Sequence, residues 1–262
     1  MNLNPTIFQR KDLHDFLWDH VEPNSTYQIQ LELEDQKFIY HNEACRRFPI
    51  DADTTPALFN LCQSVKERLH VHNNIMFCIE NDDCIANSAC LGSGNTEYPS
   101  IVRLTSGAVN MLTDNELAFL VGHELGHIII QNGIVQFFFW LIYKDPVPND
   151  IFHLLHVYRM LSELEADRYG YMACGSLETY VNYQYKLVGG IDRQKHGVSV
   201  ETFLTANQRH VQKFLDGGWV GGKHPAEALR TEAVRLFATC KTNRELRAKM
   251  KPIINSIYDC YD

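Results

Sequence analysis

The run His123-Glu124-Leu125-Gly126-His127 constrains the fold more than any other part of the chain. Residues four apart lie on one face of an α-helix, so both imidazoles reach a single ion only if this stretch is helical. A helix start stands upstream at a suitable distance. Thr113-Asp114-Asn115-Glu116 is a capping box, in which Thr113 satisfies an amide of the first turn while Glu116 reaches back to the cap. Leu117, Leu120 and Val121 then carry an apolar face towards the histidines. The spacing predicts one capped helix with two nitrogen donors near its far end. The chain has 12 histidines, so a chance match has to be weighed, and the residues around the motif decide it.

A catalytic zinc ion takes three protein ligands and keeps a further position for water. His123 and His127 supply two. The favoured third ligand is Glu163, in Ser162-Glu163-Leu164-Glu165-Ala166-Asp167, with Glu165 as the rival on another face of the same helix. Glu163 and Asp167 are four apart, so Asp167 can hold the second ring nitrogen of a histidine ligand and fix its tautomer. Glu124 is rotated about 100° from His123 around the helix. It can therefore face a water that the metal has made acidic, act as general base, and later pass the proton to a leaving amine. His224-Pro225 follows a glycine-rich loop and precedes a helix. Two readings of His224 stand side by side: a donor to a developing oxyanion, and a cap of that helix, with Pro225 in its first turn. His70, His72, His153 and His156 read as ordinary core or surface residues.

Composition removes other classes. The formal net charge of -8 leaves no basic excess to neutralise phosphates, which argues against nucleic acid as a partner. The cluster from Arg244 to Lys251 is interleaved with Glu245 and apolar residues, as on a solvated helix face. The N-terminal residues carry charges where a secretory leader has an apolar stretch. The eight cysteines form no CxxC pair and read as reduced thiols. These features point to the cytoplasm. The apolar run from Ile128 to Tyr143 is broken by Gln131, Asn132, Gly133 and Gln136, whereas a membrane span needs roughly 18 apolar residues. The run suits a buried helix. Its patch Phe137-Phe138-Phe139-Trp140 could also meet a partner or a membrane surface without crossing it.

Periodicity fills in the rest. Tyr27 to Leu33 alternates like a strand, with Lys37 to His41 as a hairpin partner. A helix is expected over 56–70, strands at Ile75–Ile79 and Ser100–Thr105, and a second long helix from Ile151 to Ala173. Further helices follow near 178–189, 200–215, 225–240 and 243–258. The segment Gly217-Gly218-Trp219-Val220-Gly221-Gly222 is a loop. Residues 1–50 divide as an N-terminal extension from a domain over 51–262.

Three segments, in order, carry a resemblance. They are Arg103 to Gly107 with Thr113 to Ile128, Glu163-Leu164-Glu165-Ala166-Asp167-Arg168-Tyr169-Gly170, and His224-Pro225-Ala226-Glu227-Ala228-Leu229-Arg230. Together they resemble the CAAX prenyl protease/HtpX-like metallopeptidases, which are gluzincins. The resemblance covers roughly residues 56–131, 159–172 and 223–238. It implies Zn2+ held by His123, His127 and Glu163, with Glu124 catalytic, Asp167 behind a histidine ligand, and His224 and Arg230 placed around substrate and transition state. It implies a protein or peptide substrate lying along the strand 100–105, after a turn at Asn87. Two departures stand out. Arg159 is one residue out of the family's Ser-Arg register, and the interval between the zinc motifs has no room for the membrane helices of many members. The expected fold is α+β: a mainly helical zincin-like metallopeptidase domain with a small mixed sheet, an active-site helix and a glutamate helix. The expected function is a zinc-dependent metalloendopeptidase; the alternative is a zinc-stabilised binding or chaperone-like module with a latent site.

Overall fold

The computed structural model describes residues 3–21, 34, 37–43, 46–85, 89–91, 98–131, 133, 135, 148–217 and 224–259. The expected strand Tyr27–Leu33, the Asn87 turn, the Phe137–Trp140 patch and most of the Gly217–Gly222 loop lie outside these residues.

Four strands form one mixed sheet in the order β1-β2-β4-β3, with β1 at Phe48–Pro49, β2 at Ile75–Glu80, β3 at Ala89–Leu91 and β4 at Ser100–Thr105. β2 and β4 run parallel, in register from Ile75 opposite Ser100 to Glu80 opposite Thr105. β1 is antiparallel to β2, and β3 to β4. β4 is buried along its length except at Arg103, as expected of a strand covered on both faces. One expectation is corrected here. Ser100–Thr105 is an interior strand whose backbone groups pair with β2 on one side and β3 on the other, so it cannot be the rim along which a peptide lies. Among the described residues the edge on that side is β3.

A second correction concerns the N-terminal region. Residues 37–43 are helical, not the second strand of a hairpin. Within this stretch His41 Nδ1 lies 2.7 Å from the Lys37 carbonyl and Asn42 Nδ2 donates to the Phe38 carbonyl at 2.8 Å. Both side chains thus bond the turn below their own, which supports helix at a place where alternation of residue types suggests strand.

Besides the helical stretch 37–43, the helices of the described residues are α1 (Phe8–Val21), α2 (Pro56–Arg68), α3 (Ser106–Met111), α4 (Asp114–Ile129), α5 (Asn149–Cys174), α6 (Leu177–Gly189), α7 (Val200–Gly217), α8 (Glu227–Thr239) and α9 (Asn243–Asp259). α4 begins at the expected capping box, where the Thr113 amide donates to Glu116 Oε2 at 2.7 Å. Lys186 of α6 binds the same oxygen at 2.7 Å and ties the start of α4 to a neighbouring helix. α4 ends at Ile129, and Gln131 then takes φ 55°, so the chain turns before Gly133. Among the described residues no helix is long and apolar enough to cross a membrane.

Among the described residues the interior holds two apolar clusters. One joins α2, the sheet, α4 and α6, with Phe119, Leu125, Val102 and Tyr180 among its buried members. The other joins α1, α8 and α9 around α5, through Leu17, Tyr158, Leu161, Leu229 and Ile257. α5 lies between them, against α4 on one side and α1, α8 and α9 on the other. This middle place explains why a helix with Glu163, Glu165, Asp167 and Arg168 on it is buried at all four positions. Each of those charges needs a specific partner, because an unpaired buried charge is costly.

α4 and α5 approach very closely. A Cβ added at Gly122 would lie 2.4 Å from Ala173 Cβ, and one at Gly170 would lie 2.9 Å from the Phe119 carbonyl. The small residues alternate with the functional ones: Gly122 and Gly126 sit beside His123 and His127, while Ala166 and Gly170 sit beside Glu163 and Asp167. Close backbone approach therefore brings the donors of both helices within reach of one another.

Candidate metal centre

His123, His127 and Glu163 form the group able to hold a metal ion among the described residues. His123 Nε2 lies 3.1 Å from His127 Nε2, and the Glu163 carboxylate faces both rings, Oε2 at 3.6 Å from His123 Nε2 and Oε1 at 3.6 Å from His127 Nε2. At most one proton can be shared between the two nitrogens, and the carboxylate is too far from either for a good hydrogen bond. Electron pairs from three side chains thus converge on one point in a buried place, a donor set that a cation satisfies. These residues fit a bound metal.

The partners behind the donors are equally specific. His123 Nδ1 is 2.9 Å from Asp167 Oδ1, so the carboxylate favours the tautomer with its proton on Nδ1 and Nε2 as the electron-pair donor. Asp167 is in turn gripped by the Arg230 fork, Nε to Oδ2 at 2.8 Å and Nη2 to Oδ1 at 2.7 Å. Arg230 also approaches Glu227 at 3.3 Å and Glu163 at 3.9 Å. The chain is therefore Arg230–Asp167–His123, three buried groups from α8, α5 and α4. Behind it, Gln184 donates to the Tyr180 hydroxyl at 3.0 Å, which meets Thr231 Oγ1 at 3.4 Å.

Electrostatics separate the carboxyl groups. Burial pushes the Glu124 carboxyl up to about 7, against the pull of His123. Burial also works to raise Glu163, but His127, the hydrogen bond to His224, His123 and Arg230 together hold it well below the ordinary carboxylate range. Asp167 is likewise opposed by burial and brought down to about 2 by Arg230 and His123. Burial lowers His127 to about 4, which keeps its ring neutral and able to donate electrons.

His224 stands at the open side of the group. Its Nδ1 is 3.3 Å from Glu163 Oε2 and its side chain is 51% exposed. α8 starts at Glu227 with Ala226 at its N-cap, so His224 lies outside the first turn and does not cap the helix. Pro225 precedes the cap rather than occupying the first helical position, since Ala226 is still extended at ψ 135°.

Glu165 is occupied elsewhere. Its oxygens accept from the Ile7 amide at 2.8 Å, from Arg10 Nε at 2.8 Å and from Arg10 Nη2 at 3.3 Å. No sequence signal marks Arg10 as its partner, because the two are separated by 155 positions and lie in unrelated patterns. The clue available is indirect: two carboxylates two apart on a buried helix face different neighbours, and each requires its own cation.

Residues 92–147 match the family model of peptidase family M48. The match spans β4, α3 and α4 with both histidines, and ends before Glu163. No curated protein and no solved structure matches the chain. Over that stretch the chain is similar to peptidase family M48, and the stretch carries His123 and His127, two of the three residues that could hold a metal ion.

Proposed function

We propose that the protein is a zinc-dependent endopeptidase in which His123, His127 and Glu163 hold the ion and Glu124 moves the proton. The observation that carries this reading is the convergence of the three donors. Tetrahedral zinc with bonds near 2.0–2.1 Å sets its ligand atoms about 3.4 Å apart; here the two ring nitrogens are 3.1 Å apart, and each has an oxygen of the Glu163 carboxylate at 3.6 Å, Oε2 for His123 and Oε1 for His127. Two neutral imidazoles and one carboxylate suit zinc in ligand type as well. When bound there, zinc supplies Lewis acidity and lowers the pKa of water towards about 7.

The chain's own groups account for the remaining steps. Glu124 is buried beside His123, with its carboxyl near neutrality, so it can both accept a proton from the attacking water and return it to the departing amide nitrogen. His224, half exposed over Glu163, is placed to donate to the oxyanion that develops as the carbonyl carbon becomes tetrahedral. Arg230 acts through Asp167: its fork fixes the carboxylate that orients His123, and its charge lies too deep to meet substrate directly. An extended peptide would add to β3, the outer strand of the sheet among the described residues, by backbone pairing alongside α4.

The deciding experiment uses Glu124→Gln with a broad peptide library and metal analysis. The variant should retain wild-type zinc content and lose at least a hundredfold in cleavage, and a chelator should stop cleavage by the wild type. Turnover near the wild-type rate in Glu124→Gln would overturn the assignment of Glu124.

A further inference from the structure

On the side of α5 away from the metal ligands, Arg168 is a buried guanidinium, only 3% exposed. Its Nη1 donates to the Pro5 carbonyl at 2.9 Å, while its Nε is buried without a hydrogen bond among the described residues. Its charge sits 5.4 Å from the Phe237 ring, a contact that offsets part of the desolvation. No carboxylate of the described residues pairs with it. The nearest candidate, Glu165, is already gripped by Arg10 and the Ile7 amide. The local sum, one carboxylate against two guanidiniums, leaves a net positive charge in the interior.

That charge borders a cavity of about 210 Å³ between the start of the chain, α5 and α9. Arg247 stands at its exposed side, with its guanidinium 3.8 Å over the Phe8 ring. Asn4, Thr6, Gln9 and Asn243 contribute polar groups to the lining, and no acidic residue lines it. Asn4 and Asn243 are already joined, the Asn4 amide donating to Asn243 Oδ1 at 3.0 Å, so the two sides of the cavity are fixed with respect to each other. Burial lowers Arg168 to about 10, which still leaves it cationic at neutral pH.

We propose that this cavity is a binding site for a small oxyanion, the carboxylate or phosphate group of a low-molecular-weight ligand, with Arg168 at its base and Arg247 at its mouth. Arg168 and Arg247 give the lining two cations, and a carboxylate or phosphate is the kind of group that guanidinium donors hold. An anion there neutralises a charge that otherwise stays uncompensated, which is where its binding energy comes from. The ligand would also bridge the N-terminal segment, α5 and α9. This reading is independent of the chemistry at His123 and His127, because the site shares no residue with the metal group.

The test is calorimetric titration of the metal-loaded protein with inorganic phosphate and, separately, with acetate, at constant ionic strength against chloride. At least one of the two should bind in the millimolar range or tighter and raise the melting temperature. Arg247→Gln, an exposed substitution that spares the fold, should weaken that binding about tenfold, and Arg168→Met should abolish it. Binding of phosphate alone assigns a tetrahedral anion; binding of acetate alone assigns a planar one. No binding of either anion, or binding unchanged in Arg247→Gln and in a folded Arg168→Met, would overturn the proposal. The second result would place the anion at the metal.

Discussion

Glu124 and Glu163 are both buried glutamates near one pair of histidines, yet their surroundings drive them in opposite directions. Burial dominates at Glu124, whereas three imidazoles and Arg230 dominate at Glu163. Such a divergence separates a proton acceptor from a permanent carboxylate. Two substitutions resolve the neighbouring pair. Glu163→Ala should lower bound metal to well under one equivalent, as read by elemental analysis. Glu165→Ala should leave metal content intact and instead destabilise the fold by roughly 3–5 kcal/mol, read by urea denaturation, because it strands Arg10 in the interior. Equal metal loss in both variants would contradict the geometry. The thiols give a further check. Burial pushes Cys62 up to about 12, and Cys78 is pushed up to about 11, whereas Cys84 is exposed. A thiol reagent followed by mass spectrometry should label Cys84 in the native protein and Cys62 and Cys78 only after denaturation.

Among the elements, the pair α4 and α5 matters most. Their donors meet because glycine and alanine at Gly122, Gly126, Ala166 and Gly170 let two helices approach where larger side chains would hold them apart. Gly122→Ala would place its methyl 2.4 Å from Ala173 Cβ, and either helix must then shift. The expected loss is about 1–3 kcal/mol of stability. Metal affinity should fall with it, since the shift moves His123 and His127 relative to Glu163. Thermal unfolding and a competition titration with a chelator measure the two effects, and unchanged values for both would show that the close contact is not what sets the site. The sheet makes a related point. The residues of β4 read correctly as a strand, but its place inside the sheet depends on β3, a three-residue strand too short to have a periodicity of its own.

Across the whole molecule, the first helix belongs to the same packed body as the site. Ile7, Leu13 and Leu17 join the apolar cluster around α5, and Arg10 closes the charge on Glu165, two positions from Glu163. Arg10→Met should cost roughly 3–5 kcal/mol by leaving Glu165 buried without its cation. The double variant Arg10→Met with Glu165→Met should recover much of that loss, because an apolar pair of similar size carries no desolvation penalty. Denaturation midpoints of the three proteins test this, and a double variant less stable than either single one would refute it.

Local pattern was enough for several features. The capping box placed the start of α4, and helical spacing placed α5 to α9 within a few residues of their ends. The same spacing put His123 with His127, and Glu163 with Asp167, on common faces. These are properties of one helix at a time, governed by short-range periodicity and capping. The placement of Glu163 beside both histidines and of Glu165 against Arg10, the grip of Arg230 on Asp167, the burial of β4 behind β3 and the helical state of residues 37–43 emerge only in three dimensions. Each depends on which cation, strand or packing surface arrives from a distant part of the chain. A buried charge takes the partner that packing delivers, and spacing along the chain carries no record of that delivery.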